Sequence, residues 1–494
     1  MTNRKLTITL IHHPTVALKI SGFTHPDFAE FSKTGAYLGN IYRRIIPPSL
    51  PRLAAVAEKE LDADVSIVDL RITNYFREEI YKTIDWEGYQ IELRRVGNTF
   101  SYADDAIARS DWIGMSSHFT FEAGIIRDLI AYAKKINPAV KVMVGGADVS
   151  ARPEEYLRFG ADAAFRGDFC PEALTWDITE PTVVGPYSHP FEELIAPAFD
   201  KLTHLKEYTD SHDGQVPPGV AFPIGFIYFT RGCPRECNFC ESRKTRHEVL
   251  DLDHCLTMIE NYKKANIRTL NLADDNLLLQ SANKRGRDNL LTLLRTMREM
   301  GFAWEYPNGL EIGLLLRQGK LDEELIEALF THTVDSETGR IIGPYRLYVP
   351  VETFDRRTDY RKLKPLNDQR TIIESLASTG MPELDFGVVL APDADEETFL
   401  HTREGYLEMR DILARRGKTK ARYAVFHLIP IAEFRTMKTK YSVSDFPEGW
   451  NFYFPVYDGA HFSARELFER RLRLIKEVDH ENYESMVRGE YSYG

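Results

Sequence analysis

Three cysteines, Cys233, Cys237 and Cys240, fall within the run Thr230-Arg231-Gly232-Cys233-Pro234-Arg235-Glu236-Cys237-Asn238-Phe239-Cys240. A C-x3-C-x2-C spacing puts three thiolates on one short loop. That is enough to hold three irons of a [4Fe–4S] cluster and to leave the fourth iron open to an outside ligand. An open iron means chemistry as well as electron storage. Zinc is the alternative, but a structural zinc wants four ligands, and the nearest spare ones are His247, His254 and Cys255.

The chain has 494 residues and only five cysteines, which suits a reduced compartment better than a disulfide scaffold. Cys170 and Cys255 read as ordinary core or surface thiols. Lys plus Arg number 62 against 74 Asp plus Glu, and the net charge of −12 gives no general attraction to phosphate backbones or anionic lipid. A nucleic-acid partner is therefore not expected. Apolar stretches such as Phe386 to Pro392 are too short to span a membrane. Leu6 to Ile11 alternates and then meets His12, His13 and Pro14, so the N-terminus reads as a strand, not a signal peptide. The opening expectation is a cytoplasmic, metal-dependent enzyme of two to four domains.

The elements that must position this loop follow an alternating pattern of strands and helices. Strands are expected at Leu6–Ile11, Val65–Leu70, Trp112–Met115 and Val140–Val144, with helices from about Pro51 and around Ile126, Leu129, Ile130 and Ala133. This reads as a doubly wound parallel sheet over residues 1–175. Residues 176–222 are proline-rich with little periodicity and read as a linker. A second series over 223–430 has strands near 224–230, 268–273, 303–308, 346–351, 383–390 and 422–429. One intervening helix carries Leu290, Leu293, Leu294 and Met297 as a stripe. Six strand and helix pairs predict an α/β chain whose second part is a partial (β/α)6 barrel, with its site at the carboxyl ends of the strands. Residues 431–494, rich in aromatics and helical over 464–478, read as a C-terminal cap.

With its aromatic Phe239 before the third cysteine, the motif resembles the signature of the radical S-adenosylmethionine (SAM) superfamily. The resemblance implies a [4Fe–4S] cluster on Cys233, Cys237 and Cys240. It also implies SAM chelating the open iron, a 5′-deoxyadenosyl radical made by reductive cleavage, and an external electron donor of flavodoxin or ferredoxin type. Asp274-Asp275-Asn276 looks like the family's polar turn near the SAM amino group, Glu352 like its SAM-binding acidic position, and Gly387 like the start of its adenine-side strand motif, with Ala391 in place of a common glycine. The bland readings stay open: Asp274 and Asp275 as turn or cap residues, Glu352 as an ion-pair partner. The cluster Arg356, Arg357, Arg361, Lys362 and Lys364 is either a solvated surface or an anchor for a carboxylate or phosphate of the substrate.

A second resemblance covers the first domain. Pro47-Pro48-Ser49, Val65 to Leu70, Ile113 to Thr120, Val144 to Ser150 and Arg166-Gly167-Asp168 look like the cobalamin-binding domain fused to one large radical SAM class. On that resemblance Ser116, Ser117, His118, Thr120, Gly145, Gly146, Asp148 and Val149 lie on the cobalamin side. The hydroxyls of Ser116, Ser117 and Thr120 would bond tail or ring amides, and the glycines would allow close backbone approach. His118 faces the corrin or packs as a structural histidine. The D-x-H-x-x-G signature is missing, since Asp210-Ser211-His212-Asp213-Gly214 is one residue short, so the resemblance implies cobalamin bound base-off with no protein histidine on cobalt. Together these imply a cobalamin-dependent methyltransferase acting at an unactivated carbon of a small-molecule or peptide substrate. The same cofactors used for cyclisation, ring rearrangement or oxidation, a first domain that has lost cobalamin, and a non-catalytic iron–sulfur sensor are the rivals.

Overall fold

A computed structural model describes residues 4–38, 44–211, 215–237, 240, 242, 245–355, 357, 366–417, 419–428, 449–450 and 452–489, with 366–369 as backbone only. The chain divides into two compact units, the first from residues 1–22, 41–209 and 445–451, the second from 23–40, 210–444 and 452–494.

In the first unit the strands are β1 (Thr7–His12), β2 (Thr15–Ser21), β3 (Asp64–Asp69), β4 (Glu78–Trp86), β5 (Tyr89–Val96), β6 (Trp112–Ser116), β7 (Lys141–Gly145), β8 (Ala163–Gly167) and β9 (Thr182–Tyr187). Helices α1 (Leu50–Leu61), α2 (Ala123–Ile136), α3 (Ala147–Ala151) and α4 (Pro153–Arg158) connect them. The parallel sheet runs β9-β8-β7-β6-β1-β3. The chain order reverses between β1 and β6, which opens a crevice at their carboxyl ends. Ile126, Leu129, Ile130 and Ala133 of α2 are buried in its core, as their spacing predicts.

Three features depart from the sequence reading. The stretch 176–222 is not wholly a linker, because β9 joins the sheet with Val183 and Val184 beside Ala164 and Phe165, and the unit continues to Thr209. Flanking prolines hide this short strand from a periodicity count. Residues 23–40 belong to the second unit, where Phe31 packs edge-on against Tyr483 and Phe23 lies near Phe468. Finally, β4 and β5 form an antiparallel hairpin through Glu87-Gly88, both left-handed as a two-residue turn requires, and β5 pairs with β2.

In the second unit a small antiparallel ladder, β11 (Thr230–Arg231) with β12 (Glu248–Val249), follows β10 (Ile224–Ile227). The main strands continue with β13 (Thr269–Leu272), β14 (Ala303–Tyr306), β15 (Ile341–Glu352), β16 (Glu383–Leu390) and β17 (Lys420–His427). They pair in parallel in the order β10-β13-β14-β15-β16-β17, the open six-strand series of a partial barrel. The helices are α5 (Leu252–Lys264), α6 (Lys284–Glu299), α7 (Glu323–Phe330), α8 (Leu366–Ser378), α9 (Glu396–Arg416), α10 (Ala464–Val478) and α11 (His480–Val487). Leu290, Leu293, Leu294 and Met297 form the buried stripe of α6. In the C-terminal region, α10 starts at a Ser463–Glu466 capping box and packs against α9 and β17.

Inside this sheet lies a buried ion network. Arg346 of β15 pairs with Glu305 of β14 at 3.1 Å and with Glu383 of β16 at 2.7 Å, and Arg422 of β17 pairs with Asp385 at 3.1 Å and with Glu383. Arg346 also donates to Ser211 Oγ and to the Gln215 carbonyl. Burial works against its charge, but the three carboxylates outweigh it and hold its pKa well above the ordinary value. Replacing one member strands the others without a counter-charge, so Arg346→Met is expected to cost the second unit about 3–5 kcal/mol. Denaturant unfolding should show this as a lowered midpoint for one transition, with the other unchanged.

Candidate functional site

The cysteine loop leaves the carboxyl end of β10 and is closed at its base by the β11–β12 ladder, where Arg231 pairs with Glu248 at 2.7 Å. Gly232 opens it with φ +80°, and a Cβ there would stand 2.2 Å from the Arg246 carbonyl oxygen. Only glycine allows this approach. The Cys233 N–H donates to Thr245 Oγ1 at 2.8 Å, the Thr245 N–H returns to the Cys233 carbonyl, and the Cys240 N–H donates to the Cys237 carbonyl at 3.1 Å. None of the three is in a disulfide and all are partly exposed, whereas Cys170 and Cys255 are buried. Burial pushes the Cys255 thiol up to about 12, so it is no thiolate ligand at neutral pH. Phe239 lies outside the described residues.

The polar turn after β13 holds this loop in place. Asp274 is 2 % exposed, and its Oδ1 accepts from the Phe229 N–H, the Thr230 N–H and Thr230 Oγ1 at 2.9, 2.5 and 2.8 Å, while Oδ2 has no partner. Burial dominates its titration and pushes it up to about 7 despite those bonds. Asp275 accepts from the Gly232 N–H at 2.7 Å and from Ser242 Oγ at 2.6 Å. The two carboxylates expected beside a SAM amino group thus both bind the cysteine loop. Two residues that sequence reasoning did not single out complete the surroundings: Glu311, bound through both oxygens by Arg235, and Asn308, which donates to the Ala273 carbonyl. Neither belongs to a motif, and only their position after β14 would have drawn attention.

Glu352 ends β15 with φ +63°, a left-handed backbone rare for a glutamate, and is 6 % exposed. Such conformations persist where the surroundings impose them and cluster at functional sites. Gly387, on the neighbouring strand, lies under Tyr348: a Cβ would meet the phenol oxygen at 1.9 Å, so the tyrosine fills the space over this glycine. Arg357 pairs with Asp355 at 2.7 Å, Asp395 at 2.9 Å and Glu397 at 2.6 Å and so is no free anion anchor. Arg356, Arg361, Lys362 and Lys364 lie outside the described residues.

In the first unit His12 and His13 stand at the carboxyl end of β1, and Ser116 and His118 at that of β6. Ser117, Thr120 and Asp148, expected to reach a ligand, are instead buried and bound to one another's neighbours. Thr120 Oγ1 donates to Asp148 at 2.6 Å, Tyr156 bonds both Ser117 and Asp148, and Arg152 pairs with Asp148 at 2.6 Å. Val149 is core. The reason is geometric: the loop after β6 must be tied to α3 before either can present a surface. Ser116 remains half-buried and His118 exposed. The loop's N–H groups at His118 and Phe119 donate to Glu122, which also faces His13 at 3.7 Å. Burial opposes its ionisation, but these partners hold Glu122 down at about 2. Burial and Arg71 push His12 down to about 3, leaving a neutral imidazole. Gly146, at φ +110°, would bring a Cβ 2.2 Å from the Ser117 carbonyl, while Gly145 would meet nothing closer than Phe165 at 3.9 Å.

The donor set suits the two groups the motifs imply. Three thiols on one loop at a strand edge are of the kind that holds an iron–sulfur cluster. At the carboxyl end of β7, next to the strand that borders the switch point, Gly145 leaves room for a Cβ at ordinary contact with Phe165, so a flat ring could approach the backbone there. Among the described residues, no three His, Cys, Asp or Glu side chains stand close enough to hold a single metal ion, and no helix is long and apolar enough to cross a membrane.

Comparison with known proteins agrees with this layout. The B12 binding domain family matches residues 36–170. A curated relative, cytidylyl-2-hydroxyethylphosphonate methyltransferase from Streptomyces wedmorensis, is 24% identical over 405 residues, covering 70% of this chain and 69% of its own. Among solved structures, the radical S-adenosylmethionine methyltransferase TsrM from Kitasatospora setae, with cobalamin and a [4Fe–4S] cluster bound, superposes with a TM-score of 0.51 at 14% identity, over 86% of this chain and 75% of its own. Residues 36–170 thus match the B12 binding domain family, in a chain whose fold is similar to that of the solved methyltransferase.

Proposed function

We propose that this chain is a cytoplasmic, cobalamin-dependent radical SAM methyltransferase acting at an unactivated carbon of a small-molecule or peptide substrate, with electrons from a flavodoxin- or ferredoxin-type donor. The observation that carries the reading is the conjunction, in one chain, of three closely spaced cysteines at the carboxyl edge of a partial barrel and a match to the B12 binding domain family. The methyltransferase relative and the structural neighbour support it. When bound, the cluster with SAM supplies a carbon radical and the cobalamin supplies a transferable methyl group.

The chain's own residues bind and orient. Cys233, Cys237 and Cys240 hold three irons. Asp274 and Asp275 keep their loop against β13, and Glu352 presents a carboxylate at the strand edge for the amino-acid end of SAM. Ser116, His118 and Gly145 form the surface offered to cobalamin, which is held base-off without a histidine on cobalt.

Methyl-labelled SAM and the native substrate, analysed by mass spectrometry, test the activity. Labelled product with both 5′-deoxyadenosine and S-adenosylhomocysteine is expected, and each cysteine-to-alanine variant should abolish deoxyadenosine. Deoxyadenosine with an unmethylated product would favour cyclisation or oxidation.

Cobalamin binding is tested at the glycines. Gly145→Val should lower cobalamin uptake with little change in thermal unfolding, because a Cβ there meets nothing closer than Phe165 at 3.9 Å. Gly146→Ala should destabilise the first unit by more than about 1 kcal/mol. Nitrogen splitting in the cobalt(II) electron resonance spectrum would refute the histidine-free state.

The loop carboxylates make a pH prediction. Asp274 in the folded protein keeps its proton up to about pH 7, against an ordinary value of 3.8. Its contribution to stability is therefore full below the unfolded pKa and is lost as the pH rises through 7. In Asp274→Asn that fall should vanish in the metal-free protein, since the amide oxygen keeps the three bonds. Asp275→Ala should lose iron on reconstitution before any change in SAM affinity can be read.

A further inference from the structure

Asn276 closes a ring of contacts around Cys233. Its Nδ2 lies 3.5 Å from Cys233 Sγ and 3.0 Å from Glu311 Oε2. The other end of the ring is Arg235, two residues beyond Cys233, whose Nε and Nη2 grip Glu311 at 3.0 and 2.6 Å. A carboxylate only accepts hydrogen bonds, so Glu311 decides which way the amide faces: nitrogen toward Glu311, and its second N–H toward the sulfur. Among the described residues nothing competes for the opposite orientation, because Asn276 Oδ1 has no hydrogen-bond partner there, and the residue is 5 % exposed. The cysteine loop therefore carries, on Arg235, the charge that fixes its own thiolate's donor.

We propose that Asn276 is a positioning residue that raises the reduction potential of the iron–sulfur site through an N–H···S bond to Cys233, oriented by Glu311 and Arg235; this rests on the cluster assignment above. Reduction adds a negative charge to the cluster and its sulfurs. A hydrogen bond to a ligand sulfur stabilises that charge and makes the cluster easier to reduce. Water would do the same less selectively, but the buried amide gives Cys233 a fixed donor. In an enzyme that must pass an electron to SAM, this sets how strong an external donor is needed.

The test is potentiometry, followed by electron resonance, on the reconstituted full chain with iron counted per chain. If the unmutated chain takes up no cluster, the underlying assignment fails and not this proposal. With the cluster present, Asn276→Leu, similar in size but without the donor, is expected to shift the midpoint to more negative potential at unchanged iron content, and Asn276→Gln, which keeps an amide, to recover part of the shift. An unshifted midpoint in Asn276→Leu overturns the proposal. Should Asn276→Leu take up no iron, Asn276→Gln decides: iron uptake with a potential near that of the unmutated chain supports the donor role, and failure to take up iron, or a potential far from it, reduces Asn276 to packing and overturns the proposal.

Discussion

The guanidinium of Arg346 sits where water cannot reach it, and the second unit is arranged around that fact. A buried charge is tolerable only with counter-charges in good geometry. Here they come from β14 and β16, with Arg422 of β17 balancing the excess of carboxylate. Each partner is one residue in the register of its strand, and a slip of one residue would turn it to the opposite face of the sheet. The network thus fixes how four neighbouring strands stagger, and with it the height at which their carboxyl ends emerge. Glu352, six residues beyond Arg346 on the same strand, inherits its position from this register.

The same economy governs the edge where chemistry is proposed. A loop with three thiols and an internal proline has little periodic structure to hold it, so its rigidity must come from outside. Asp274 and Asp275 supply it by taking backbone N–H groups that would otherwise be unsatisfied. The first unit repeats the arrangement with neutral and charged partners: Asp148 gathers Thr120, Tyr156 and Arg152, and Glu122 caps the N–H groups after β6. In both units a carboxylate at one strand's end holds the loop of the next.

Much of this was legible in the sequence because it rests on period and spacing. The parallel strands and the α2 and α6 stripes depend on residues close together in the chain, and each emerges near its expected bounds. What was not legible depends on distant partners. The β4–β5 hairpin reads as two alternating runs only once Glu87-Gly88 is taken as a left-handed turn. Val183 and Val184 are too few to announce a strand among prolines, and they become one because Ala164 and Phe165 leave an edge to pair with. The acidic and hydroxyl residues misled most. Asp275, Ser117 and Thr120 have types suited to ligand binding, but their partners lie 28 to 43 residues away and are internal.

That last pattern constrains where recognition can reside. If the conspicuous polar side chains near the strand ends are consumed in holding loops, the proposed ligand contacts fall to other groups: in the first unit the backbone at Gly145, the half-buried Ser116 and the exposed His118, and in the second Glu352 with its imposed left-handed backbone. Each of these surfaces is shaped before any ligand arrives, since the bonds that hold its loops are internal. Binding then requires little reordering of the protein, and more of the interaction energy remains to orient the ligand. The proposed reaction, which passes through a carbon radical, would depend on this: the radical must meet one partner and no other, and a site that reorganised on binding would admit competitors.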